Sequence, residues 1–211
     1  MGVKAHPALL SGAFAYAVMM AVKLNDTALM LRYKDGDMTA FETLYGRHKG
    51  SLFRFLVRQI GNQQFAEDVF QEVWSRIIRN RDSYQADAKF TTYLYHIARN
   101  CSVDQHRRMQ KRDNDISENE ATVPEAQAQD GNPVATAETG DTRIAIVDAL
   151  NQLPNDQREA FLLKEESGLS LEEIATVTGV GRETVKSRLR YALNKLRQCL
   201  PQPEAAGVED D

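Results

Sequence analysis

"SLEEIATVTGVGRETVKSRLRYALNKLR", from Ser170 to Arg197, decides how the second half of this chain folds. Ser170 stands where a helix N-cap is wanted, and Glu173, three residues on, supplies its reciprocal partner in a capping box. Ala175 is small where two helices would cross closely. Gly179, four residues later, accepts the left-handed backbone that a tight inter-helix turn demands. Val180 and Val185 then offer apolar plugs for the angle between the helices. The spacing predicts a helix-turn-helix whose second helix enters the major groove. Left outward on that helix are Arg182, Glu183, Thr184, Lys186, Ser187, Arg188 and Arg190, suited to base edges near its start and to phosphates beyond. Ser170, at the head of the motif, is counted with them. A small bundle with a solvated basic face is the plainer reading, but the coincidence of cap, Ala, Gly, plugs and cations favours DNA.

Working outward, charge is unevenly placed. The chain of 211 residues is 42% apolar, enough for one or two real cores, and its net charge of −4 does not announce a nucleic-acid binder. The average misleads. Residues 182–197 hold six Lys/Arg against one Glu, and residues 88–112 hold six against one Asp. Between them, residues 113–141 hold eight acids and no Lys or Arg. That segment, with Pro124, Gly131, Asn132 and Pro133 and almost no apolar periodicity, reads as a flexible acidic linker. A short acidic tail spans residues 201–211.

Upstream the pattern is helical throughout and no alternating strand pattern occurs. Asn25 or Asp26 can cap a helix carrying Leu29, Met30 and Tyr33. Asp37 can cap the next, and Gly61-Asn62 ends one long element and starts another. The fold class is therefore all-α: two small helical domains joined by the linker, at residues 24–112 and 142–200. Residues 1–23, apolar from Ala8 to Val22, loosely suggest a secretory signal but are short for a membrane span and show no clear cleavage site. They read as an extension, non-native or disordered, with Met19 or Met20 as the working start. Cys101 and Cys199 are distant and match no ligand spacing, which fits a reducing cytoplasm. His96, Cys101 and His106 step by five residues around a helix, so neither metal nor cofactor is expected.

"KFTTYLYHIARNCSVDQHRR", Lys89 to Arg108, mixes aromatics and cations on one helix. Phe90, Leu94, Ile97, Ala98 and Cys101 share a core face. Tyr95, His96, Arg99 and His106 fall opposite, flanked by Tyr93 and Arg107. Such a face can stack unpaired bases or wedge a strained duplex, and it can equally be a protein interface.

Taken in order, "AEDVFQEVWSRIIRN", "FTTYLYHIARN…D…RR", an acidic linker and "ALNQLPNDQREAFLLKEESGLSLEEIATVTGVGRETVKSRLRYALNKLR" closely resemble the bacterial extracytoplasmic-function sigma factors from Leu24 to Leu200. The resemblance implies that the first domain docks on core RNA polymerase through a D-x-x-Q-E pattern, here Asp68, Gln71 and Glu72 with Trp74 alongside. The bland reading is an ordinary amphipathic helix with Val69, Phe70, Val73 and Ile77 buried. It further implies that Lys89, Phe90, Thr92, Tyr93, Tyr95, His96, Arg99, Arg107 and Arg108 face the minus-ten element. The loop "SYQADAK" would capture a flipped base. Tyr95 and His96 stand where main sigma factors carry a paired-tryptophan wedge. The second domain would read the minus-thirty-five element, and the acidic linker would thread the polymerase's positively charged cleft. Members are commonly held by an anti-sigma factor, so such a partner is implied, as is promoter DNA both duplex and melted. No membrane insertion is expected.

Two rivals remain. A free-standing helix-turn-helix regulator explains residues 170–196 but leaves the D-x-x-Q-E face and the aromatic helix unused. An enzyme would need a phosphate loop, nucleophile elbow or Cys/His pair, and none is found. Glu165-Glu166 and Glu172-Glu173 fit capping and surface roles.

Overall fold

A computed structural model describes residues 24–117 and 145–199, and every regular element in them is helical. The extension, most of the expected linker and the acidic tail lie outside the described residues.

Local chemistry sets the helix ends. Asn25 caps α1 (Asp26–Lys34) by accepting the Ala28 N–H at 2.8 Å. Asp37 caps α2 (Met38–Ile60), accepting from the N–H groups of Thr39 and Ala40 at 3.0 and 3.2 Å. Gly61, at φ +75°, closes α2, and Asn62 at once caps α3 (Gln63–Arg79) through the Phe65 N–H. A 3-10 turn (Arg81–Ser83) and an exposed loop lead to α4 (Phe90–Ser117). This helix runs five residues past the expected linker boundary at Arg112. Acidic composition does not end a helix, and no Gly or Pro interrupts the chain between Ser102 and Ser117. The first group's core is built from Leu44, Leu52, Phe55 and Leu56 of α2, Val69, Val73 and Ile77 of α3, and Phe90, Leu94 and Ala98 of α4.

In the second group a helix over 145–151, α5, precedes α6 (Asn155–Ser167), α7 (Leu171–Thr178) and α8 (Arg182–Cys199). The expected capping box is formed: the Glu173 N–H donates to Ser170 Oγ at 3.2 Å, and the Ser170 N–H donates to Glu173 Oε2 at 2.8 Å. Gly179 takes φ +71°, and Val185 is fully buried in the angle it opens. Leu162, Leu163, Ile174, Val177, Ala192 and Leu196 complete this core.

The two groups do not stand apart. Helix α6 packs along α2 and α7 along α4, so the buried apolar residues of both halves join in one cluster. Linker composition says nothing of this contact.

Candidate polymerase-docking and nucleic-acid surfaces

On α3 the outward residues are Asp68, Gln71 and Ser75, with Glu72 half-buried. Glu72 is not a bare acid. It accepts from Arg76 Nε at 2.7 Å and Arg79 at 3.1 Å, and the Arg76 bond holds its carboxyl below the usual range. Arg76 reaches on to Asp104 of α4 at 3.3 Å. These groups rim a cleft of about 370 Å³ between α3 and α4, with Phe65, Val69 and Cys101 at its floor. Asp68 and Glu72 line its α3 lip, Asp104 and Arg108 its α4 lip, and Arg76 bridges the two, so the acidic side is that of α3. Its charge suits a basic partner surface.

Trp74, expected alongside this pattern, does not face outward. It is 5% exposed and sits among Phe41, Tyr45 and Phe70, with the Tyr45 ring 4.9 Å away. Its position four residues from Phe70 puts both on the side of α3 that meets α2. Trp74 therefore supports the Asp68, Gln71 and Glu72 face from beneath. The bland burial of Val69, Val73 and Ile77 holds, and Phe70 is partly buried.

Helix α4 departs further from expectation. His96, His106, Arg107 and Arg108 are exposed and Tyr93 is half-buried. Phe90 and Thr92 are buried, and Tyr95, expected on the open face, is 1% exposed. The Tyr95 ring packs edge-on against Phe55 of α2 at 5.3 Å, and burial pushes its phenol up to about 12. A helical projection assumes one packing partner, whereas α4 is met by α2, α3 and the second group. Arg99 and Lys89 face that second group. Arg99 Nε donates to Glu159 Oε1 at 3.1 Å, and Lys89 Nζ lies 2.9 Å from Glu173 Oε1. In the "SYQADAK" loop Tyr84 is buried, its carbonyl accepting from Lys34 Nζ, while Gln85 to Lys89 are exposed.

Helix α8 keeps its cations outside. Arg182, Glu183, Thr184, Lys186 and Arg190 are exposed, and Ser187 and Arg188 half-buried. Arg182 Nε donates to Glu172 at 2.6 Å and its Nη1 to Glu183 at 3.0 Å, which raises the guanidinium pKa still further. Arg188 is held by Asp156 at the head of α6. Arg190 lies over the exposed Tyr191 ring, 5.1 Å from its centre. Ser170 is occupied by its cap, so its part in the motif is to fix α7.

Sequence inspection missed the acids beneath these surfaces. Glu159 is buried and Glu166 has a side chain 7% exposed, where a surface role was expected for the latter. Their seven-residue spacing around the buried Leu162 and Leu163 was the one available signal, and it names no partner.

Known proteins share this arrangement. Sigma-70 region 2 matches residues 44–112, and Sigma-70, region 4 matches residues 143–196. The RNA polymerase sigma factor CarQ of Myxococcus xanthus is 33% identical, over 83% of this chain and 97% of CarQ. The ECF RNA polymerase sigma factor SigW of Bacillus subtilis is 31% identical, over 79% of this chain and 92% of its own. The ECF RNA polymerase sigma-E factor of Escherichia coli K12 is 32% identical, over 81% and 91%. Among solved structures, the sigma factor RpoE of Bartonella quintana, in complex with the anti-sigma factor NepR, superimposes with a TM-score of 0.62 at 26% identity, over 75% of this chain and 95% of that one. CnrH, in complex with the cytosolic domain of CnrY, has the same fold, with a TM-score of 0.60 at 24% identity over 82% and 95%.

Proposed function

Since the chain belongs to the extracytoplasmic-function group of RNA polymerase sigma factors, we propose that its two helical groups divide promoter recognition between them. The chain is a sigma factor: it takes core RNA polymerase to promoter DNA and supports initiation there. The residue assignments that follow are ours. Asp68, Gln71 and Glu72 meet the polymerase on the outer face of α3, with Trp74 holding that face in shape. His96, Arg99, Arg107 and Arg108 of α4, with Lys89, hold the minus-ten region, and Tyr93 and the exposed part of the preceding loop meet opened bases. Arg182, Thr184 and Lys186 read the minus-thirty-five element at the start of α8, and Arg188 and Arg190 hold phosphate. Residues 24–112 and 142–200 are the corresponding domains, and the acidic segment between them is the tether.

Polymerase performs the bond-making, and this chain supplies position and strand separation without catalysis of its own. It works in the cytoplasm, where polymerase and chromosome are. The RpoE structure was solved with an anti-sigma factor, and a comparable partner for this chain is part of the proposal.

One observation carries this reading. An outward D-x-x-Q-E face on α3 and an outward cation row on α8 occur in one chain. A free-standing regulator needs only the second. Run-off transcription tests it, with purified protein, bacterial core polymerase and a pool of promoter fragments. Discrete transcripts that need the chain and vanish with D68A/Q71A/E72A are expected. Tight duplex binding by the chain alone, with no transcript and no core binding, would return the free-standing regulator.

A further inference from the structure

Four cations of the first group end on carboxylates of the second. Arg54 Nε donates to Glu166 Oε2 at 2.8 Å, and the Arg58 guanidinium holds the other oxygen of the same carboxylate. Arg99 is on Glu159 and Lys89 on Glu173. The acids are shut in, with Glu166 and Glu159 side chains 7% and 9% exposed. The arginines keep an open side, at 56% for Arg54 and 37% for Arg58. Glu159 and Glu166 lie two turns apart on one side of α6, about 10.5 Å along its axis. They form a row of anions seated on a row of cations.

Stability does not explain that row well. Burying ion pairs returns little net free energy, because desolvation consumes most of the attraction. The pattern of one anion gripped by two guanidinium groups is how phosphate is held, since arginine's planar fork fits carboxylate and phosphate alike. Arg54 and Glu166 lie close enough to Tyr95 of α4 to act on its phenol, and Arg99 of α4 ends on the same helix, α6, as the two arginines do.

Opening is also a geometric necessity for a sigma factor. The two promoter elements are named for positions about 25 base pairs apart, roughly 85 Å along the duplex at 3.4 Å per pair. A compact body of the 149 described residues (94 and 55) is only about 40 Å across. The packed chain therefore cannot engage both elements at once.

We propose that α6 and the head of α7 serve as an internal stand-in for nucleic-acid phosphate, and that Arg54 and Arg58 are strand-binding residues of the minus-ten surface, alongside Arg99 and Lys89. The packed chain holds these cations on its own carboxylates and releases them when the second group leaves for its DNA element. The inference rests on the sigma-factor reading for the strand it names.

The test has two arms, both on the full chain. In the first, a fluorescent dT20 oligonucleotide is titrated by anisotropy against wild type, E166K and E42K. E166K puts a cation between Arg54 and Arg58 and parts the seam, while E42K makes the same charge change at an exposed site outside it. E166K should bind at least tenfold tighter than wild type, E42K less than threefold, and E166A should move the same way as E166K by a smaller factor. Circular dichroism establishes that each variant keeps its helices. Equal gains for E166K and E42K would overturn the stand-in. In the second arm, R54A/R58A is assembled with core polymerase and scored for retention on promoter DNA as salt is raised. Two lost phosphate contacts should flatten the log–log salt slope by about 1.4, at about 0.7 per single-strand phosphate, with core affinity unchanged. An unchanged slope would remove Arg54 and Arg58 from the strand surface. A wild-type chain that supports no core-dependent transcript would sink the parent reading, and the dT20 arm, which needs no polymerase, would still decide the stand-in.

Discussion

Helices α4 and α8 belong to stretches with six Lys/Arg each, at residues 88–112 and 182–197, and they dispose of them in opposite ways. The N-terminal cations of α8 pair with a neighbouring acid or one on the adjoining helix, as Arg182 does with Glu183 and Glu172, and stay in water. Those at the start of α4 pair across the seam with acids of the other group, as Lys89 does with Glu173 and Arg99 with Glu159. Exposed pairs cost little to exchange for phosphate, because they contribute little in the first place. A pair with one member buried must be parted before it can be exchanged. The pairs of α8 can therefore be exchanged as they stand, whereas Lys89 and Arg99 must first be parted from the second group; on the proposed strand-binding role of these cations, duplex contact precedes full strand capture.

The hardest way to break this contrast is to unfold one group and watch the other. Val185 is fully buried between α7 and α8. Val185→Asp puts an unpaired charge there, at a cost of about 5 kcal/mol, enough to unfold a small helical group. Its expected signature is split: duplex minus-thirty-five binding and transcription are lost, while dT20 affinity rises because α4 is uncovered. A fall in both would mean that the first group depends on the second for its own fold, and the contrast would fail.

Trp74 gives the next largest effect and separates packing from docking on α3. Trp74→Ala empties the space between Phe41, Tyr45 and Phe70 and should cost about 3–5 kcal/mol in urea unfolding, with core polymerase binding lost alongside. Trp74→Phe, which keeps an aromatic filling, should retain most of both. If Trp74→Phe unfolded normally yet failed to bind core, the indole would be a contact after all, despite its burial.

How far such features are legible in sequence depends on the distance over which each one acts. The caps at Asn25, Asp37, Asn62 and Ser170 were readable because an N-cap acts over three residues and leaves its donor and acceptor in plain order. Gly61 and Gly179 were readable because a left-handed residue after a helix narrows the choice of side chain. The helix-turn-helix follows from those local rules. The seam does not. Glu166 is 108 residues from Arg58 and 112 from Arg54, and no periodicity on α6 or α2 states that they meet. Tyr95 is illegible for the same reason: α4 alone presents it as open, and its burial comes from what packs on α4. The end of α4 is a different case, because acidic composition at residues 113–117 does not by itself end a helix.

The smallest expected effect concerns the acid under Arg99. Burial pushes the Glu159 carboxyl up, and Arg99 pulls against it without winning. A carboxyl whose pKa is raised in the packed state binds its proton more tightly there than in the parted chain. Its support for packing is thus complete below the ordinary carboxylate value and is lost as pH rises through the raised one. The seam should be tighter under mild acid and looser at neutral pH. The molecule carries its own reporter pair. Trp74 is the single tryptophan, and Cys199 is half-buried, whereas Cys101 is buried with its thiol pushed up to about 11, so a dye will take Cys199 first. Energy transfer from Trp74 to that dye should rise as pH falls from about 7 toward the carboxylate range, and Glu159→Gln should flatten the rise. Transfer that fell on acidification would reverse the sign of the Glu159 contribution. A rise that persisted in Glu159→Gln would assign the sensitivity to another group at the seam, and leave Glu159 with the passive task of holding Arg99.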